Sequence, residues 1–405
     1  MDSKAKILLP ATPQTRIPQL DGLRGLAILL VLLYHYTSIP GGHGSTQLAQ
    51  QIFAIGWSGV DLFFILSGFL IGGILLDVRE SPNYFKTFYA RRFYRIVPLY
   101  YAWIGIFFAL AIFWPAPENR LEIWPETWRA LPLYALFLQN SVKIHHAVLG
   151  TAWLGALWSL AVEEQFYLVV PLVIRFVSGR KLSLLLWGAV ICTPLFRVLL
   201  HQHVQGHPAA PYMLSLCRAD ALAMGVLLAM GWRSERCKAI FYRFQTAICG
   251  ICVLLVGTYL YLAIWQPSQY SLAMYSWGYS VVDVLFATLL AIALMMPHGS
   301  WAKICRIRSL AGLGKVSFCL YVIHEAVNLA CHQLVLRSVP QFNSWTTAFV
   351  TVVAAVLSYS LATLSWKFFE YPILQRGQAR LNNALPKNKR VLPRFRPADG
   401  FIQST

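Results

Sequence analysis

Long apolar runs separated by short polar stretches dominate this chain. Ten of them fall at 22–38, 52–76, 96–114, 158–177, 183–200, 212–231, 246–265, 276–296, 316–335 and 346–368. A helix needs about 20 apolar residues to cross a bilayer. Unpaired backbone groups are costly in lipid, so runs of this length predict α-helices. The expected fold is all-α: a polytopic integral membrane protein with ten transmembrane helices. A further apolar patch, Leu131–Leu138, is too short to span and reads as an interfacial or re-entrant piece. Gly68 and Gly72 form a GxxxG pair, which predicts close helix packing.

The first run carries the most informative polar pattern. Asp21 is a natural N-cap, so the helix is expected to start near Gly22. Arg24 and His35 stand eleven positions apart. That is three turns plus about 20°, or roughly 16 Å of rise, so both lie on one face. Such a face would carry a cation near one membrane surface and an imidazole nearer the other. Ionisable residues within a membrane are costly and usually functional.

Composition supports the membrane reading. The chain is 57% hydrophobic and 12% charged, where soluble domains carry about 25% charged residues. The net charge of +18 would suit a nucleic-acid partner if the cations were clustered. They lie instead between the apolar runs, as topology signals and contacts for anionic membrane lipids, so no nucleic acid is expected. Loops with cations alternate with loops that have few. Arg79, Lys86, Arg91, Arg92 and Arg95 follow the second run, whereas the loop at 39–51 has no Lys or Arg. The positive-inside rule then puts both termini in the cytoplasm, which an even number of spans allows. The first run has no small-residue cleavage site after it and reads as a signal anchor.

The expected organisation is a cytoplasmic lead at 1–17, a ten-helix domain at 18–372 and a basic cytoplasmic tail at 373–405. There is no internal repeat. Cys249 and Cys252 have redox-motif spacing but open an apolar run, where packing is the simpler role. His201, His203 and His207 are loosely spaced in an outer loop with no carboxylate or cysteine close in sequence, so no metal is expected there.

Alternating orientation places His35, Asp61, Glu163, Glu164, Arg197, Arg218, Asp220 and Asp283 in one depth band on different helices. Buried charges must pair or face a wet cavity, and both readings stand for this set. At the opposite surface Arg91, Arg92 and Arg95 open the third run, with Arg92 and Arg95 three apart and hence on one face. A guanidinium fork near a helix N-terminus suits phosphate. Joined through the first helix, the two ends suggest chemistry across the membrane. Arg24, Arg92 and Arg95 would hold the phosphates of a coenzyme A thioester, whose thin arm reaches a base at His35 beside carboxylates.

At these residues the chain resembles the membrane-bound acyltransferase 3 family. The matching stretches are Leu20–Gly25 with His35 (R-x10-H), Gly59–Phe69, Arg92–Pro98 (R-x-x-R), Trp158–Tyr167, Arg218–Leu222, Tyr321–His324 and Phe369–Pro372. They run in order over roughly 17–372. The resemblance implies transfer of acetyl or other acyl groups from cytosolic acyl-coenzyme A in a bacterial inner membrane. Acceptors would be a surface glycan, lipopolysaccharide or a lipid-linked precursor. It implies a catalytic His35, with Arg24, Arg92 and Arg95 facing the cofactor and Glu163 or Glu164 orienting His35, and Asp61 joins this catalytic set by its depth. Some relatives carry an extra C-terminal SGNH-type domain. The short stretch after Pro372 leads to the expectation that this second step is absent or done by another protein. Two alternatives stay open: acylation of a secondary metabolite such as a macrolide, and export of an acylated or glycosylated product by a transporter.

Overall fold

The computed structural model describes residues 17–37, 45–113, 131–141, 153–204, 207–265 and 269–383. Most of these residues are helical, with no strand among them. Among the described residues, ten helices are long and apolar enough to cross a membrane: α1 (Pro18–Thr37), α2 (Gln47–Asp77), α3 (Tyr84–Leu110), α4 (Leu157–Phe176), α5 (Gly179–His203), α6 (Ser215–Arg233), α7 (Gln245–Trp265), α8 (Met274–Met295), α9 (Arg308–Leu336) and α10 (Trp345–Leu381). The count matches the ten apolar runs, and the protein is a multi-pass membrane protein.

Several boundaries differ from the sequence reading. α1 starts at Pro18 rather than near Gly22, and Asp21 lies inside its first turn. Proline suits a first helical turn because its ring presets φ and no N–H is lost there. Asp21 then complements the dipole from within the helix. α3 begins at Tyr84, so Arg91, Arg92 and Arg95 lie about two turns inside it and not at its N-terminus. The helix-end argument for phosphate binding falls away, because free N–H groups exist only in the first turn. After Pro372 the chain stays helical as far as Asn383. A π turn at Trp366–Glu370 precedes Pro372 and relieves the clash its ring would make one turn earlier. Arg380 reaches Tyr94 of α3 at 3.4 Å. The rest of the basic tail, 384–405, lies outside the described residues, as does the N-terminal lead up to residue 16.

Glycine contacts fix the helix directions. α1 runs parallel to α9: Gly25 meets the backbone of Leu310 and Gly314 that of Asp21 near the start of both helices, His35 meets His324 further along, and Gly22 packs on Cys305 just before α9. A Cβ at any of these three glycines would overlap a carbonyl group. α2 runs parallel to α6, with Gly68 against Leu222 and Gly225, and Gly72 against Val226. Asp77 and Arg233 close the far end of that pair through two charge-assisted hydrogen bonds of 2.6 and 2.7 Å. α1 and α2 are antiparallel, since Gly56 meets Leu30 and Tyr34 whereas Gly59 meets Ala27 and Val31. The beginning of α1, the beginning of α9 and the end of α10 therefore share one end of the bundle. α5 and α7 lie at the periphery.

The 131–138 patch does not span. A short helix at 131–135 turns back at Phe137, whose φ is 55°. Hydrogen bonds seat the segment on the bundle: Tyr100 to the Tyr134 carbonyl at 2.7 Å, Gln139 to the Leu157 carbonyl at 2.8 Å, and Asn140 to Ser215 at 3.1 Å.

Four members of the depth band form one dry cluster with Asp61. Arg218 pairs with Asp61 at 2.5 Å, and Arg197 with Asp220 at 2.8 Å. None of these four side chains is more than 1% exposed. Arg197 also donates to the Tyr275 and Cys217 carbonyls at 3.1 and 2.9 Å. The Arg218 guanidinium stacks over Tyr279 at 4.6 Å and Tyr212 at 5.1 Å. Asp283 completes the cluster, close enough to Asp61 to interact with it directly. These pairs join α2, α5, α6 and α8, which is the helix-locking alternative. Asp61→Asn strands a buried guanidinium and is expected to cost about 3–5 kcal/mol. Asp283 makes no ion pair among the described residues, so Asp283→Asn should be milder. Thermal unfolding of both variants in detergent checks that order.

Candidate active site

Two polar centres lie along α1, one near each end. At its C-terminal end, α1 supplies His35 and α9 supplies His324 and Glu325. His35 Nδ1 lies 2.9 Å from His324 Nε2. His35 Nε2 lies 3.6 Å from Glu325 Oε1, with the two side chains 28% and 21% exposed. His324 is fully buried. Its Nδ1 sits 2.7 Å from the Tyr321 carbonyl, one turn earlier on α9. The parallel contact of α1 and α9 brings these residues together. Tyr36 tightens it, donating to the His324 carbonyl at 3.1 Å while paired with Ser358 of α10 at 2.9 Å. Tyr321 ties α9 to the start of α4 through Ser159 at 2.5 Å and the Ala156 carbonyl at 2.9 Å.

The second centre surrounds Arg24. This half-buried side chain interacts electrostatically with Arg95 and Arg92 of α3 and with Tyr167 of α4. Glu163 accepts from Ser67 at 2.6 Å and from Tyr167 at 3.3 Å, and it interacts with Arg92 and Arg24. The Arg92 guanidinium lies 5.1 Å from the Tyr167 ring centroid. Glu164 faces Glu163 and Arg92, and its Oε1 is buried without a hydrogen-bond partner among the described residues. Arg95 also interacts electrostatically with Glu370 of α10. Three guanidinium groups so close repel one another, and the carboxylates of Asp21, Glu163, Glu164 and Glu370 offset that repulsion. Phosphate groups fit the geometry of these guanidinium forks.

The structure brings together the three arginines singled out from the sequence, and it separates the acids from His35. Glu163 and Glu164 stand with the arginines. Asp61 is ion-paired to Arg218 inside the dry cluster, as a helix lock. The carboxylate beside His35 is Glu325, which sequence reasoning passed over. Its signal was available: an ionisable residue in an apolar run, directly after a Tyr-x-x-His stretch. Tyr321 interacts with both Glu325 and Glu163 and so lies between the two centres.

Metal-capable geometry falls in an unexpected place. One ligand atom each from His35, His324 and Glu325 lies within 4.8 Å of the others. The two imidazoles, however, bond each other directly across that space. His201 and His203 are in the last turn of α5, not a loop. His201 packs on Tyr275 and His203 bonds its own helix at Leu199. Cys249 and Cys252 are free thiols lining an apolar pocket with Leu289, Ile292 and Trp301.

Comparison with known proteins bears on this arrangement. A family model of an acyltransferase domain, Acyl_transf_3, matches residues 17–364. The O-acetyltransferase OatA of Staphylococcus aureus (strain NCTC 8325 / PS 47) is 26% identical over 393 residues, 92% of this chain and 59% of its own length. The peptidoglycan O-acetyltransferase OatA of Listeria monocytogenes serovar 1/2a is 28% identical over 373 residues, 89% of this chain and 56% of its own. A putative O-acetyltransferase of Staphylococcus aureus (strain COL) is 26% identical over 381 residues, 90% of this chain and 58% of its own. The chain thus spans less than two thirds of the length of these relatives. No solved structure matches.

Proposed function

The chain belongs to the acyltransferase 3 family, and on that premise we propose that it is a membrane O-acyltransferase that carries an acyl group, most simply acetyl, from cytosolic acyl-coenzyme A to a hydroxyl of a surface glycan or its lipid-linked precursor. The observation that carries this reading is the pair of polar centres on α1. The arginine centre suits a phosphorylated head group, and the His35 centre, about three turns away, suits acyl transfer to a hydroxyl. The names of the relatives favour acetyl as the acyl group and a wall glycan as the acceptor.

Orientation follows from loop charge. The end of the bundle where α1 begins also carries Arg79, Arg180, Lys181, Lys238, Arg306 and Arg308. The positive-inside rule makes this the cytoplasmic end. Arg24 then faces the cytosolic donor, and His35 lies toward the outer surface.

In the proposed reaction the acceptor hydroxyl oxygen attacks the thioester carbonyl carbon as His35 removes the hydroxyl proton. The C–O bond forms and the C–S bond breaks. The proton passes from His35 to the departing thiolate, so the thiol form of coenzyme A leaves and no net proton is released. Glu325 offsets the transient charge on His35. Glu163 and Glu164 hold the arginines in place while the site is empty.

His35→Ala should abolish acceptor acylation while leaving the amount of membrane protein unchanged. Retained acylation in vesicles supplied with radiolabelled acetyl-coenzyme A would refute a role for His35. Arg92→Ala and Arg95→Ala should each weaken coenzyme A binding by about 10-fold or more, the scale of one lost charge-assisted pair. Calorimetry on the purified variants reads this directly, and unchanged affinity would return these arginines to a topological role.

A further inference from the structure

We propose that His324 is a positioning residue that sets which nitrogen of His35 is the base. The inference rests on the reading of His35 as the general base, and it starts from hydrogen-bond polarity. The Tyr321 carbonyl can only accept, and it lies 2.7 Å from His324 Nδ1. His324 Nδ1 therefore carries a hydrogen. A second proton on Nε2 would place a cation in a fully buried side chain whose nearest carboxylate oxygen, on Glu325, is 4.0 Å away. His324 Nε2 is thus an acceptor. His35 Nδ1, 2.9 Å from it, must be the donor.

A neutral His35 then holds its one hydrogen on Nδ1. Its lone pair is on Nε2, the nitrogen 3.6 Å from Glu325. Without His324 the opposite tautomer would be favoured, because a carboxylate beside Nε2 attracts a hydrogen to that atom. That form has no lone pair where the acceptor hydroxyl must deliver its proton. His324 and Glu325 thus divide the work: His324 keeps Nε2 free of hydrogen before reaction, and Glu325 stabilises the imidazolium after it. This polarity passes from the α9 backbone through two rings to α1. Among the described residues the pair is also packed by Tyr34, whose ring lies 5.2 Å from that of His35 and whose hydroxyl donates to Gln269, by Tyr36, held by Ser358 and the His324 carbonyl, and by Tyr321, held by Ser159 and Ala156.

The test reads the tautomer directly. Protein labelled with nitrogen-15 in its histidine rings is placed in lipid nanodiscs, and the His35 signals are assigned by their loss in His35→Gln. Wild type should show a protonated Nδ1 and an unprotonated Nε2. In His324→Phe, which fills the space but cannot accept, the hydrogen should move to Nε2 and acyl transfer should fall roughly 100-fold. His324→Gln offers an oxygen acceptor and should recover transfer to within about 10-fold of wild type. Melting in detergent confirms that both variants fold. A wild-type hydrogen on Nε2 would overturn the assignment. Equal losses in the Phe and Gln variants with unchanged His35 signals would overturn the positioning role. Retained transfer in His35→Ala would instead refute the base that His324 is held to position, whatever tautomer the spectra show.

Discussion

The backbone contact between α1 and α9 is the constraint on which the site depends. Gly25 and Gly314 have no Cβ, so carbonyl groups of one helix lie directly on the other, and Gly22 rests in the same way on Cys305 just before α9. Approach this close leaves no room for helices to slide or rotate, because any side chain at these positions would overlap backbone. His35 can meet His324 at 2.9 Å only because the helices carrying them are locked several turns earlier. The chemistry of the histidine centre is in this sense a consequence of three glycines at the other end of the bundle.

The same bundle sorts its ionisable groups into three environments. In the dry cluster, Arg197 and Arg218 each take a carboxylate partner and aromatic faces, and no ligand could reach them. Around Arg24, three guanidinium groups share four carboxylates, and Ser67 and Tyr167 orient Glu163 rather than neutralise it. Beside the fully buried His324, the His35 imidazole and the Glu325 carboxylate keep partial exposure. Pairing removes charge from chemistry, and incomplete pairing with access to a ligand retains it. That difference separates scaffold from site here more clearly than residue type does.

Much of this was legible in the chain itself. Ten apolar runs became ten helices, because lipid forces backbone groups to bond within the segment and about 20 apolar residues are needed to cross. The patch at 131–138 was too short and turned back. Gly68 and Gly72 packed as their spacing implied. Arg24, Arg92 and Arg95 share a depth that their positions along α1 and α3 implied, though their contact depended on packing. Boundaries were less legible: Pro18 and Pro372 act as helix residues, a choice that depends on whether a first turn or a π turn accommodates the ring.

Partnership was decided by tertiary structure alone. Depth along a helix follows from sequence, since each residue adds a fixed rise. Which helix stands beside which does not. Asp61, Glu163 and Glu325 are all carboxylates in apolar runs, and the chain offers each as a neighbour for His35. Parallel packing of α2 with α6 gives Asp61 to Arg218, and packing of α4 near α2 and α3 gives Glu163 to Ser67 and Arg92. Packing of α9 on α1 leaves Glu325 for His35. The sequence by itself determined the helices, their alternation and the family of the chain. The azimuth of each helix, fixed by close contacts between residues far apart in the chain, decided which acid faces the histidine.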